Sequence, residues 1–565
     1  MKIIAVNPYI SSSAKFTKVN FPKFSSLAYC KLTSPRADMV SFSSKPKLLS
    51  EQAGEVYATK YRNSTAGYRG EFGYDFNDDF VYTMTNAASS YILEHGNSKT
   101  PKTIVGGDTR EATKKYAPEI TNILLNKGID VYVPRLNNVE TNEISPVASP
   151  ILALATKTFE VPLSVLLTAS HNPWKDGGYN FLTREGMVAE NKQVDEIANN
   201  FLKITKQGKE PAGLKKKGSV ISFNPLELYS DYLKEEQFID FEKIKNAGID
   251  IYYEDFGGTG GYYFPELLVD YGIELKGLLS SETSGPNPTM KNMENLGNVV
   301  RKSGNPMKIG LATDGDSDRF GAVDENGNFI SANDFLLLVA YHLIKNKNMT
   351  SGTIIKNHST SEKIDALVKY FNSNAGTNIE VSATPVGFKY LGGEMMRLKG
   401  TPKEAILVGE ESGGLTIKGH IPEKDGFLAI LELLDLMATE NKPIGQILSE
   451  VNLLLGADYK SECINVRMAS EQEKNAIIAS FEQYANGSKS SLFGYKIDID
   501  KTIAHNKKIC EFKKNGDGYK IFFENGSSVL IRKSGTEPIL RYFIDATSNK
   551  VYGNLKNSIE NYSCG

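Results

Sequence analysis

The sequence predicts an α/β protein of several domains, three of them built alike, with a smaller α+β domain at the end of the chain. A strand, glycine loop, helix, strand pattern occurs three times, which argues for sheets with helices on their faces. The last hundred residues break that pattern, with short strands following a helical segment. The chain is 565 residues long, which on length alone suggests about four domains of roughly 150 residues.

In chain order, residues 1–56 read as a flexible or targeting tail, rich in Ser and Lys; Asp38 is the only acidic residue among the first fifty. That bias resembles an organelle transit peptide, although arginine is nearly absent. The folded part is expected from Tyr57, and the polar, glycine-spaced loop Ser64 to Gly70 contains Arg69. A first α/β domain, 57–210, contains the strand from Thr103 running into Gly106-Gly107-Asp108-Thr109-Arg110, a helix from Ala117 and a strand from Gly128. A second, 220–330, repeats this with the strand Ile249 to Tyr253, the loop Gly257 to Gly261, a helix around Phe264 and a strand from Gly272. A third, 331–455, has the strand from Gly352, the polar loop His358 to Ser361, the helix Lys363 to Phe371 and the strand from Asn378. These alternations predict parallel sheets. The remainder, 456–565, gives a helix over Glu471 to Tyr484, two short strands and a polar loop, Lys533 to Pro538.

Composition excludes several function classes. Hydrophobic content of 40% and charged content of 23% are ordinary for a globular protein. A net charge of −2 gives no bulk attraction to nucleic acid or anionic membrane. No apolar run reaches the length of a spanning helix. Cys30, Cys463, Cys510 and Cys564 form no C-x-x-C pair, so neither a zinc site nor a disulfide framework is indicated, and a cytoplasmic location is expected.

Four motifs carry the chemistry. Thr168-Ala169-Ser170-His171-Asn172-Pro173 follows the apolar run from Val161, so Ser170 lies just past a strand end, where open α/β sheets bind ligands. The alternative is a turn serine bonded to its own backbone. His171 adjoins it, but neighbouring side chains point apart and no G-x-S-x-G elbow is present, which argues against a hydrolase triad. No G-x-x-x-x-G-K-[ST] nucleotide loop occurs either.

Asp314-Gly315-Asp316-Ser317-Asp318-Arg319 places three carboxylates at alternate positions. On an extended segment they point to one side, and their repulsion calls for a cation. Oxygen-only ligands favour Mg²⁺ or Ca²⁺, and a small carboxylate set that shares its metal with phosphate is typical of Mg²⁺. An EF-hand has the same Asp spacing, with Glu325 at its twelfth position, but its sixth position would hold Arg319 instead of glycine. A solvated acidic turn is the other alternative. Gly409-Glu410-Glu411-Ser412-Gly413-Gly414 offers an acceptor and a donor for adjacent sugar hydroxyls, or is an acidic surface turn. Arg532-Lys533-Ser534-Gly535-Thr536-Glu537-Pro538 combines a guanidinium, hydroxyls and a glycine backbone, a set suited to a phosphate monoester.

Taken in order, one per expected domain, these four motifs resemble those of the α-D-phosphohexomutases, the phosphoglucomutase/phosphomannomutase family. The resemblance implies mixed sheets and a four-domain, heart-shaped molecule with a central active-site cleft. It further implies that Ser170 carries a phosphoryl group and that Mg²⁺ is held by Asp314, Asp316, Asp318 and a phosphate oxygen on Ser170. Arg69 and Arg319 would act on the transferring group, and Lys389, in the stretch Thr384 to Tyr390, matches a lysine placed against substrate in some branches. Glu410, Ser412 and His171 would bind the sugar, and Arg532, Ser534, Gly535 and Thr536 the phosphate that is not reacting. The implied partners are sugar phosphates, with no nucleic acid and no membrane, for a monomer or dimer. One position departs from the family pattern. Asn180 stands where a lysine, a candidate general acid/base, is usual, so Lys175, Lys389 or His420 would have to substitute, or the branch would transfer more slowly or act on another sugar. The leading reading is a mutase interconverting hexose 1- and 6-phosphates of glucose or mannose. The alternatives are a phosphopentomutase, a phosphoglucosamine mutase, or a non-catalytic relative that keeps the fold.

Overall fold

The computed structural model describes residues 46–564, apart from 63, 65–66, 97–98, 100, 138–142, 486–490, 493–494, 498–507, 516–517 and 535–537. The chain divides into two compact units, one of residues up to 329 together with 423–431, the other of 330–422 and 432–565.

In the first unit, the helix Glu51–Arg62 buries Gly54, Ala58 and Tyr61, and Leu48, Leu49 and Tyr57 pack on the core beside it. This helix begins before Tyr57, where its apolar side chains have a surface to cover. The first sheet runs in the order Tyr68–Glu71, Asp176–Thr183, Leu163–Leu167, Lys102–Gly107, Asp130–Pro134, Val220–Phe223. Its last four strands are parallel, as β-α-β repetition predicts. The first two are antiparallel additions, because residues 168–175 are too few for a crossover and can only form a hairpin. Phe76, Phe80, Tyr68, Tyr179 and Phe181 lie in its core. In the second sheet Asp250–Glu254 pairs in parallel with Leu275–Leu279 and Lys308–Thr313, and Lys308–Thr313 turns back antiparallel into Phe320–Val323.

The second unit repeats the device. Ser351–Asn357 pairs in parallel with Asn378–Thr384 and Ala405–Glu410, and Ala405–Glu410 turns back into Gly414–Ile417. A seven-stranded sheet follows, antiparallel except between Tyr495–Ile497 and Lys508–Asn515. Phe481, Tyr519, Ile521, Tyr542, Leu555 and Ile559 fill its core.

The sheets are thus mixed, as the family resemblance implied, and not wholly parallel as the strand and helix alternation alone predicts, and the difference has a functional meaning. In each of the first three sheets one parallel strand, Leu163–Leu167, Lys308–Thr313 or Ala405–Glu410, turns back into an antiparallel partner, and the ends and turns of those hairpins carry Ser170, the three aspartates and Glu410 to Ser412. The fourth motif also links antiparallel neighbours, Ser528–Lys533 and Ile539–Ala546. Among the described residues no helix is long and apolar enough to cross a membrane.

Candidate active site

Ser170 follows the strand Leu163–Leu167 with a positive φ of 51°, a conformation that a non-glycine residue keeps only where its surroundings fix it. Its N–H donates to Thr168 Oγ1 at 2.8 Å, and Thr168 Oγ1 donates to Asp108 Oδ2 at 2.7 Å. The buried Arg110 holds the loop from the other side. One guanidinium nitrogen donates to the Ser170 and Asn172 carbonyls at 2.6 and 2.7 Å, and another to those of Pro173 and Asp176 at 2.6 and 3.2 Å. Its Nε pairs with Asp108 at 3.0 Å, and the Trp174 ring lies 5.0 Å from the guanidinium carbon. A single side chain thus donates to four backbone carbonyls of one tight loop.

The strained serine points at the aspartates: Ser170 Oγ donates to Asp314 Oδ2 at 2.7 Å. Residues 314–319 form a turn between antiparallel strands, not the extended segment expected from alternation. The turn closes through Ser317 N–H to the Asp314 carbonyl at 3.1 Å, and Ser317 takes a φ of 57°. The carboxylates converge all the same, with one oxygen from each of Asp314, Asp316 and Asp318 within 4.8 Å of the others. All three are buried. Gly315 permits the approach, since a Cβ there would lie 2.8 Å from the Ser170 carbonyl oxygen.

Burial and the neighbouring Asp316 and Asp318 charges push the Asp314 carboxyl well above its ordinary range. Burial, and then Asp318, pushes Asp316 up to about 6. Among the described residues, Asp316 Oδ1 and Asp318 Oδ1 are buried without a hydrogen-bond partner. Three hard oxygen donors, two with unused lone pairs, fit a divalent cation of the Mg²⁺ or Ca²⁺ kind. The remaining contacts are specific. Asp316 Oδ2 accepts from Ser149 Oγ at 2.6 Å, and Lys424 Nζ pairs with Asp318 at 3.0 Å.

His171 Nδ1 accepts from Arg319 at 2.5 Å and lies 3.4 Å from Ser170 Oγ. The Arg319 charge, followed by burial and the Arg69 charge, holds the imidazole down to about 2. It is neutral at physiological pH, with Nδ1 occupied, and is not set up as a base for Ser170. Arg69 lies on Tyr68–Glu71 opposite Gly178, with its Nη1 donating to Asn180 Oδ1 at 2.6 Å. Burial draws its guanidinium down to about 10 against the pull of Asp316, so it keeps its charge. Lys175 is exposed and paired with Glu71 at 2.9 Å.

In the second unit, Glu410 ends its strand, and its Oε1 accepts from Ser412 Oγ at 2.6 Å. Asn357 Nδ2 donates to Glu410 Oε2 at 3.2 Å, while Asn357 Oδ1 accepts from the backbone and hydroxyls of Ser359 and Thr360. Lys389 is buried near the start of the helix Phe388–Leu398, and His420 is buried in the turn after Gly414–Ile417. Arg532 faces Arg541 across two strands, and Ser534 is buried with its carbonyl accepting from Lys474 at 2.7 Å. Gly535 and Thr536 lie outside the described residues.

The structure therefore groups Ser170, Asp314, Asp316, Asp318, Arg319, His171 and Arg69 in one unit, and Glu410 with Ser412 in the other. Sequence reasoning missed Asp108, Arg110 and Asn357. The only available signal for Arg110 was an Asp-x-Arg at a strand end after a glycine loop.

Models of known families match along nearly the whole folded chain: phosphoglucomutase/phosphomannomutase alpha/beta/alpha domain I over residues 62–208, domain II over 227–327, domain III over 331–453, and the C-terminal domain over 464–561. A phosphoglucosamine mutase of Bacillus cereus is 25% identical over 86% of this chain and 94% of its own length. A phosphoglucomutase/phosphomannomutase of Thermococcus kodakarensis is 24% identical over the same shares. Among solved structures, the open form of the Paramecium phosphoglucomutase pp63/parafusin superposes with a TM-score of 0.69 at 19% identity, covering 88% of this chain and 94% of that one.

Proposed function

We propose, proceeding from the fact that this chain belongs to the phosphoglucomutase/phosphomannomutase family and is thereby an intramolecular phosphotransferase, that it interconverts hexose 1- and 6-phosphates of glucose or mannose through a phosphorylated Ser170. The observation that carries the reading is a strained serine hydroxyl donating to one of three convergent buried aspartates.

In this reading Ser170 Oγ carries the phosphoryl group. The free hydroxyl of a sugar monophosphate attacks it, the bond to Oγ breaks, the hydroxyl proton ends on the departing Oγ, and a sugar bisphosphate forms. After the bisphosphate turns over, Oγ accepts the other phosphoryl group, and its proton ends on the sugar oxygen that is released. Asp314, Asp316 and Asp318 would hold Mg²⁺, which when bound offsets charge on the phosphoryl oxygens. Arg69 supplies a further fixed positive charge to the transferring group, and preorganised charge of this kind is the main contribution a protein makes to phosphoryl transfer. Arg319 holds His171 neutral, leaving its Nε2–H to donate to sugar. Glu410 and Ser412 form an acceptor and donor pair for adjacent hydroxyls, steadied by Asn357. Lys389 faces substrate, and Arg532, Ser534, Gly535 and Thr536 grip the distal phosphate.

The relatives named phosphoglucosamine mutase make glucosamine phosphate the second substrate to test. Coupled turnover assays with glucose, mannose and glucosamine 1- and 6-phosphates are expected to give the highest kcat/KM with glucose or mannose. A preference for glucosamine phosphate would replace the substrate, and no turnover with any of them would remove the reading.

A further inference from the structure

Asn180, where the sequence departs from the family pattern, is neither exposed nor idle. It is buried on the strand Asp176–Thr183, which lies between Tyr68–Glu71 and Leu163–Leu167. Its amide makes three bonds. Nδ2 donates across the sheet to the Leu166 and Thr168 carbonyls at 3.2 and 3.0 Å, and Oδ1 accepts from Arg69 Nη1 at 2.6 Å. The donors face carbonyls and the acceptor faces a guanidinium, so the amide orientation is fixed by its partners. Gly178 makes the crossing possible, because a Cβ there would stand 2.8 Å from Arg69 Nη1 and 1.9 Å from the Thr168 carbonyl oxygen. Arg69 Nη1 also donates to its neighbour's carbonyl, Tyr68 O, at 3.1 Å, so Asn180 is the link that ties this guanidinium to the segment entering the serine loop.

We infer that Asn180 is a positioning residue. It aims Arg69 at the group carried by Ser170 and registers that aim to the Thr168 backbone, two residues before the serine. A carboxamide neither gives up nor takes on a proton as an acid or base near neutral pH, so position 180 does not serve as the acid or base of the transfer in this chain. An ammonium at 180 would instead confront the Arg69 guanidinium at the point where Oδ1 now accepts from it. Asparagine and this placement of Arg69 therefore belong together. The inference rests on the phosphoserine reading above and deepens it.

The test is a double-mutant cycle in the full-length protein, with N180A, R69A and the double variant assayed beside the parent on glucose 1- and mannose 1-phosphate from pH 6 to 9. N180A is expected to lose about a hundredfold in kcat with KM changed less than about threefold, by the same factor at every pH. In the R69A background the same change is expected to cost less than about threefold, because the residue it acts through is gone. N180D, which keeps an acceptor for Arg69 and gives up both donors to the carbonyls, is expected to retain kcat within about tenfold. It carries the comparison if N180A does not fold. A full additional loss in the R69A background, a loss confined to one limb of the pH profile, or N180D as impaired as N180A overturns the role of Asn180 alone. An inactive parent overturns the mutase reading, and this inference with it.

Discussion

Two buried charge clusters in this protein are assembled from similar parts and balanced in opposite ways. In the second unit, Lys356 and Lys520 lie among Glu362, Asp365 and Asp545. Lys520 reaches Glu362 at 2.6 Å and Lys356 reaches it at 2.9 Å, Lys356 also pairs with Asp365, and Asp545 accepts from Ser361 Oγ and the Glu362 N–H at 2.7 and 2.8 Å. The two lysines hold the Glu362 carboxyl well below its ordinary range, while burial pushes the neighbouring Asp365 up. In the first unit, Asp314, Asp316 and Asp318 are more deeply buried than Glu362 and Asp365, and Asp314 and Asp316 are pushed upward. The first cluster contains its own counter-ions and binds the loop of residues 358–362 to the C-terminal sheet. The second meets its cations at Asp318, through Lys424 and Arg319, and keeps two carboxylate oxygens, Asp316 Oδ1 and Asp318 Oδ1, without a hydrogen bond from the described residues. Burial of acids alone does not mark a site; an acidic set whose inward oxygens are left without donors does.

This contrast can be broken most severely at the acidic set. D316N keeps the shape, and the Asn amide can still meet Ser149, but it removes one metal-facing charge. We expect kcat to fall about a thousandfold and calorimetric Mg²⁺ affinity to fall with it, while the melting temperature holds or rises because a repulsive neighbour is gone. Loss of the melting transition with metal binding intact would place Asp316 with the structural ion pairs instead.

The opposite outcome is expected in the lysine-balanced cluster. K520M leaves Glu362 with one lysine and should destabilise by about 3 kcal/mol, read as a lower denaturant midpoint with Mg²⁺ affinity unchanged. A variant as stable as the parent would show that the charge balance there contributes little.

Glu119 provides the mildest case, a buried carboxylate with neither ion nor lysine bonded to it. Both its oxygens lack hydrogen-bond partners among the described residues, and burial raises the group to about 7. The native state therefore holds its proton more tightly than the unfolded chain. Near pH 4 both states are protonated and nothing is lost; as pH rises towards 7 the unfolded chain ionises first and stability falls. E119Q should therefore gain up to about 3 kcal/mol over the parent at pH 8 and almost nothing at pH 4. An equal effect at both pH values would refute the assignment.

What could be read from the sequence divides along the same line. Ser170 and the three aspartates were legible because each set is contiguous, and its chemistry shows in the residue types alone. The shape of the aspartate turn was not, since Ser317 adopts a positive φ under the bond from its N–H to the Asp314 carbonyl and alternation only predicts directions on an extended chain. Arg110 and Asn180 were illegible as supports because their partners come from pairing of distant segments: the Arg110 carbonyls lie some sixty residues away, and Arg69 lies 111 residues from Asn180. The hairpin that makes each sheet mixed was hidden for a similar reason. A strand, loop, strand stretch reads the same whether it crosses over or turns back, and only the shortness of residues 168–175 decides it.

The strained serine beside the three buried aspartates is expected to carry the phosphoryl group. Intact mass and fragmentation of the full-length protein after incubation with glucose 1,6-bisphosphate and Mg²⁺ test it most directly. One phosphoryl group is expected, located on Ser170, transferred to added glucose 1-phosphate, and absent from an inactive S170A variant. A phosphoryl group on another residue, or an S170A variant that turns over like the parent, would contradict it.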